Sequence, residues 1–195
     1  TGGFIQNYTT NPEGPLALAR TPILLVVTLS AAVWLVFTWI SGGLSDKIGR
    51  RKTYIYGWII QLIGVLALFP LVNLGEIWSV AVALCLLSVG IGMTYGAQSA
   101  FYSELFPASI RFSGVSISYA LGAILGGAFS PLIATWLVSE TGSTAAVAVY
   151  LSVMTLIGFT ATILLKDRSG IPLGPDHEAQ QSESPFTFAS KTTNK

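Results

Sequence analysis

The 195-residue chain is 52% apolar and 10% charged with a net charge of +1, against roughly 25% charged in a soluble globular domain. That balance excludes a solvated, charge-rich domain and gives no bulk attraction for nucleic acid. One cysteine, Cys85, excludes an internal disulfide and reads as a small core residue.

The chain opens on 1–20, which reads as the remnant of an outer loop, from Thr1-Gly2-Gly3-Phe4 to Pro12-Glu13-Gly14-Pro15. Its Asn7-Tyr8-Thr9 triplet fits the N-glycosylation pattern and serves here as a loop signal. No initiator methionine and no charged-then-apolar leader precede it.

Five uninterrupted apolar segments follow, at 21–41, 54–72, 77–99, 113–138 and 145–165. Each is close to the ~20 residues with which a helix crosses a bilayer. Between the first two lies the charged, glycine-containing stretch Gly42-Gly43-Leu44-Ser45-Asp46-Lys47-Ile48-Gly49-Arg50-Arg51-Lys52. A loop this short forces its neighbours into a hairpin across the membrane. The third span ends in a polar, small-residue cluster of Gly90, Gly92, Tyr95, Gly96, Gln98 and Ser99. Polar groups at that depth face a cavity or hydrogen-bond to another helix. In the fourth span Gly114, Ser118, Gly122, Gly126 and Ser130 recur every four residues, broadened by Ala123 and Gly127. Such a ladder either packs helices tightly or offers a smooth face for sliding. Pro131 is expected to kink the span. The stretch 166–195, with Pro172, Pro175, Ser182, Ser184 and Pro185, reads as a disordered tail, and His177 within it as solvated.

Charge placement gives the orientation. Lys47, Arg50, Arg51 and Lys52 follow the first span, Arg111 the third, and Lys166 and Arg168 the fifth. The opposite loops carry Glu76 and Glu140 and no basic residue, leaving Arg20 alone on that side. The 42–53 loop, the 100–112 loop and the C-terminal tail are therefore expected in the cytoplasm, and 1–20 outside. An odd number of spans with an outer N-terminus suggests that a preceding helix is missing.

Two cytoplasmic charges sit at unfavourable helix ends. Glu104 closes the third span and Arg111 opens the fourth, each against the local dipole. The expectation is that they pair, with each other across the Pro107 turn or with the 42–52 loop, while Asp46 caps the N-terminus of the fourth span. Together these charges form a clasp that holds when helix ends are close and is lost when they part.

Gly42-x-Leu44-x-Asp46-Lys47-x-Gly49-Arg50-Arg51 resembles the signature loop of the major facilitator superfamily, in the copy joining the eighth and ninth of twelve helices. Tyr95-Gly96-x-Gln98, then Glu104-Leu105-Phe106-Pro107-x-x-x-Arg111-x-x-Gly114, is similar to its metabolite:proton symporter branch, as is the run from Leu121-Gly122-Ala123 to Pro131-Leu132-Ile133-Ala134-Thr135. Ala97 departs from that branch, which often has proline there.

The resemblance implies an all-α polytopic helical bundle in which 21–165 supplies five transmembrane helices, eight to twelve. These make most of the C-terminal half of a twelve-helix fold whose N-terminal half is absent. It implies a secondary active transporter of the cell membrane, moving a small organic acid or zwitterionic metabolite by alternating access together with protons. Shikimate, dicarboxylates, citrate, proline and betaine are the cargoes of that branch. The coupling acid is then expected in the missing helices, since these spans hold no ionisable residue except Cys85 and tyrosines apart from Glu104 and Arg111 at the membrane edge. The same mapping nominates Trp34, Tyr95, Gln98 and Tyr119 as substrate contacts.

The implied partners are the lipid bilayer, the metabolite, protons and the missing half. No cofactor or metal is implied, and no nucleophile–base set or metal-ligand cluster points to an enzyme. Two alternatives are a transporter-like sensor or inactive truncated fragment, and, ranked below it, a channel or half-transporter dimerised through the 114–130 face.

Overall fold

Every backbone polar group within a bilayer must be satisfied inside its own segment, which leaves helices as the form for apolar runs of this length. The computed structural model describes residues 2–12 and 16–187, and five of its helices are long and apolar enough to cross a membrane. They are α2 (Arg20–Ile48), α3 (Arg50–Val72), α4 (Ile77–Leu105), the composite span Arg111–Thr141, and α7 (Thr144–Leu164). The composite span consists of α5 (Arg111–Gly122), a π-helical segment (Ala123–Ala128) and α6 (Phe129–Thr141). A short helix, α1 (Gly2–Thr10), precedes them, and α8 (Glu178–Gln181) lies in the tail. Large apolar side chains point outward in number: Leu35 is 71% exposed and Trp39 82%. That pattern suits a lipid-facing surface rather than a water-facing one.

α4 is the axis of the bundle, packed between α2 and α3, with α7 behind α3. Small residues let the backbones touch. A Cβ on Gly64 would lie 2.9 Å from the Leu87 Cα, one on Gly57 2.8 Å from the Thr94 amide nitrogen, and one on Gly92 2.8 Å from the Trp34 carbonyl oxygen. Gly158 meets the Trp58 ring in the same way between α7 and α3. At one end Asn73 ties three elements together, accepting from the Tyr8 hydroxyl at 3.2 Å and donating to Thr144 Oγ1 at 3.2 Å. The opposite end carries the basic residues and is called the charged end below.

Four features differ from the sequence-based expectations. The first concerns 42–53, expected as a loop. The helix runs on through Gly42, Leu44, Asp46 and Lys47, and the break is confined to Gly49. Charged residues at a helix end reach past the apolar zone without unwinding it, and Gly49 takes φ +98°, which a side chain would resist.

The second concerns the outer-loop remnant. Residues 2–10 form α1, with Ile5 and Thr9 fully buried and Phe4 stacked on Tyr8 one turn on. The Asn7-Tyr8-Thr9 triplet is therefore helical. The third is the tail expected to be disordered. Over 166–187 it folds back on the charged end, where Arg168 donates to the carbonyls of Leu105 and Gln181, at 3.3 and 2.9 Å, and to that of Glu183. Helix-end carbonyls that lack partners give the guanidinium a place to bind. The parts of both expectations that fall on residues 1, 13–15 and 188–195 lie outside the described residues.

The fourth is the form of the Pro131 perturbation. A π-helical segment at Ala123–Ala128 precedes it. Proline removes the hydrogen bond to Gly127 and crowds that carbonyl; a wider turn relieves both.

Because the α3–α4 contact is backbone on backbone, Gly64→Leu is expected to cost roughly 1–3 kcal/mol or more. Gly122→Ala, where no heavy atom beyond the adjacent residues and the helix's own backbone lies within 4 Å of the added carbon, is expected to change stability by less than ~0.5 kcal/mol. Thermal unfolding of the two purified variants in detergent checks this; equal losses would contradict it.

Candidate functional site

Helix spacing brings a polar stripe of α4 to face α2 and α5. Tyr95, Gln98, Ser99 and Tyr102 lie at i, i+3, i+4 and i+7, one side of a helix. Ser116 and Tyr119, three apart, answer from α5, and Thr38 from α2. They wall a cavity of about 460 Å³. The close approach of Gly96 to the α2 backbone at Thr38 sets its floor. The Tyr95 and Tyr119 hydroxyls lie 3.3 Å apart across the α4–α5 seam. Behind Tyr95 the Trp34 ring packs edge-on, with centroids 5.5 Å apart at 75°. None of the lining residues carries a charge. Gln98, Ser99 and Ser116 have no hydrogen-bond partner among the described residues.

Of the four residues nominated from sequence, Tyr95, Gln98 and Tyr119 line this cavity and Trp34 backs it. Gly96 and Ser99, from the polar, small-residue cluster at the end of the third span, line it too, whereas Thr38, Tyr102 and Ser116 were not anticipated. The one-turn steps from Trp34 to Thr38 and from Tyr95 to Ser99, and the two-turn step to Tyr102, carried the signal.

The charged end holds a second polar centre. Arg50, at the start of α3, pairs with Glu104 near the end of α4, whose side chain is only 3% exposed. Asp46, 68% exposed, approaches the same guanidinium at 3.3 Å. The expected link from Glu104 to the 42–52 segment is thus the one formed. Asp46 pairs with Arg50, one turn on in sequence, rather than with the N-terminus of α5. Arg111 does not meet Glu104 either. It donates to the carbonyls of Ser103 at 2.8 Å and Leu173 at 2.9 Å, and to Gln181 Oε1 at 3.1 Å. These bonds offset its position at a helix N-terminus. Arg51 caps the last turn of α7 through the Ile163 carbonyl at 2.6 Å, where the dipole favours a cation. Lys47 is exposed, while Gly42 and Leu44 are half-buried in α2. Gly49 faces Asp167, whose Oδ2 lies 3.3 Å from where a Cβ would stand.

Buried Gln181 is the hub of the tail. Its Oε1 accepts from the Ala108 amide at 2.8 Å and from Arg111, while Nε2 donates to the Pro172 and Gly174 carbonyls at 2.7 and 2.8 Å. Burial lowers the pKa of Arg168 beside it, and the Glu183 carboxylate acts in the opposite sense.

The small-residue ladder divides. Gly114 packs under the Phe106 ring, whereas a Cβ on Gly122, Gly126 or Gly127 would meet no other part of the described structure within 4 Å beyond its own stretch of helix. Ser118 is half-buried. α5 buries no residue at all. Among the described residues no group of His, Cys, Asp or Glu has the makings of a metal site.

Residues 6–192 match the model of a family described as the Major Facilitator Superfamily. The chain is 35% identical over 170 residues to the Shikimate transporter of Escherichia coli (strain K12), a match covering 84% of this chain and 37% of that protein. It is 33% identical over 152 residues to the Citrate-proton symporter of Klebsiella pneumoniae, covering 77% and 34%. It is 31% identical over 157 residues to the Ectoine/proline transporter ProP of Corynebacterium glutamicum, covering 80% and 30%. The chain thus spans about a third of the length of these relatives.

Removing one partner of a buried ion pair strands the other charge, so Arg50→Gln is expected to cost roughly 3–5 kcal/mol, and adding Glu104→Gln to recover part of it. Urea or thermal unfolding of the singles and the double measures the coupling; strictly additive losses would contradict the pair. Gln181→Leu leaves the Ala108 amide and one Arg111 nitrogen unmatched. Hydrogen exchange at 166–187 is then expected to quicken by at least about tenfold; unchanged protection would show that the tail is held elsewhere.

Proposed function

The chain belongs to the Major Facilitator Superfamily, and from that premise we propose that it forms helices eight to twelve of a secondary active transporter working by alternating access. It is a multi-pass membrane protein, and its family and named relatives are those of transporters rather than enzymes. The cargo on this reading is a small organic acid or zwitterionic metabolite carried with protons across the cell membrane. The names of the relatives, a shikimate transporter, a citrate-proton symporter and an ectoine/proline transporter, support that class.

The observation that carries the reading is the uncharged polar cavity inside the apolar spans, walled by α2, α4 and α5. Polar side chains at that depth belong against protein or water, not lipid. On this mapping α1 is the end of the seventh helix, and the open side of the cavity faces the six helices of the other half. The charged end, with the tail, is cytoplasmic by its excess of Lys and Arg. The Arg50–Glu104 pair, with Asp46 beside it, is the clasp joining the α2–α3 junction to α4. It is made in this conformation and broken when the junction and α4 separate. The acid that couples protons lies outside these helices.

The test is uptake of labelled shikimate and citrate by proteoliposomes holding the full polypeptide that contains this chain, with and without an inward proton gradient. Gradient-driven accumulation, abolished by a protonophore, is expected. Uptake of neither ligand, from protein shown to be inserted, would turn the assignment toward a transporter-like sensor. In the same assay Asp46→Asn is expected to slow uptake several-fold, far more than it lowers the amount of protein, since an exposed pair adds only ~0.3–0.5 kcal/mol to stability. A normal rate would remove Asp46 from the clasp.

A further inference from the structure

The chemistry of the cavity between α2, α4 and α5 narrows what this face can hold, and the inference rests on the transport reading above. Its lining offers hydroxyls and one carboxamide and no charge. A carboxylate or ammonium placed against it would lose hydration with no opposite charge to compensate. Hydroxyls both donate and accept, so they match another hydroxyl. The Tyr95 and Tyr119 oxygens, 3.3 Å apart, form a loose contact that leaves capacity on both phenols for a third group. Gln98, Ser99 and Ser116 stand around them without partners among the described residues.

The geometry points to the Tyr95–Tyr119 pair as the specificity-determining element for the uncharged, hydroxyl-bearing end of a hydroxylated organic acid. The carboxylate of that acid is held by residues outside this face. The pair also crosses from α4 to α5, so a ligand hydroxyl that inserts between the two phenols reaches both helices at once.

The experiment compares uptake of labelled acids that differ by their hydroxyl groups, using proteoliposomes of the full polypeptide containing this chain. The probes are malate with succinate, citrate with tricarballylate, and quinate with cyclohexanecarboxylate, with glycine betaine alongside. For at least one pair the wild-type protein is expected to favour the hydroxy acid by about tenfold or more. Tyr119→Phe and Tyr95→Phe are each expected to reduce that ratio to about threefold or less, and Ser116→Ala to lower it as well. The ratio is the readout because a structural defect lowers uptake of both members alike. Preference for the unhydroxylated partner or for betaine would overturn the assignment, as would a ratio that survives both tyrosine changes. Uptake of none of the probes by the wild type would overturn the transport reading itself, and this assignment with it.

Discussion

The contact of α4 with the backbones of α2 and α3 is what the rest of the bundle depends on. Water does not drive helices together inside a bilayer, so association rests on how closely backbones approach. Gly57 and Gly64 give α3 that approach, and Gly92 and Gly96 give it to α2. With α4 wedged between them, its remaining side, carrying Tyr95, Gln98, Ser99 and Tyr102, has nowhere to face but the opening shared with α5. Packing on two sides thus creates the polar surface on the third.

Polarity is divided between two places with different jobs. The cavity is neutral, which lets it stay wet or bind a ligand without a stranded charge. The charged end concentrates the ion pair of Arg50 with Glu104, the Arg51 cap on α7, and the Arg111–Gln181–Arg168 group that fastens the tail. α5 lies between the two and buries no residue. It is held by Phe106 against Gly114 and by Arg111 at its start, and by the Tyr95–Tyr119 contact farther along. Past Arg111, the α5 side chain that hydrogen-bonds to α4 is Tyr119, in the proposed ligand site.

The existence and order of the five spans were legible because apolar runs near 20 residues admit one form in a bilayer. Their ends were not. Charge was read as loop at 42–53, yet a helix tolerates charge at its ends and only Gly49 forces a break. α1 escaped notice because nine residues are too few for a hydropathy signal, although Ile5 and Thr9, four apart, mark its buried face. Of the four residues that the family mapping nominated, Tyr95, Gln98 and Tyr119 are among those that line the cavity. The tail was misread because composition cannot reveal that Arg168 and Gln181 meet the loose carbonyls and amides of the 105–111 turn. The glycine ladder at 122–127 shows the converse limit, since small residues mark a face open to close approach without saying what approaches it.

In the proposed transporter the α2–α4–α5 face is a water-accessible wall and not a lipid-facing one. Cysteine accessibility tests it most directly, in the full polypeptide with Cys85→Ala and every cysteine outside this chain replaced as background. Single cysteines replacing Ser99 or Ser116 are predicted to react with a membrane-impermeant maleimide, while cysteines replacing Leu66 or Ile157, outward-facing on α3 and α7, stay unlabelled. Silence at Ser99 and Ser116, matching that at Leu66, would contradict the account.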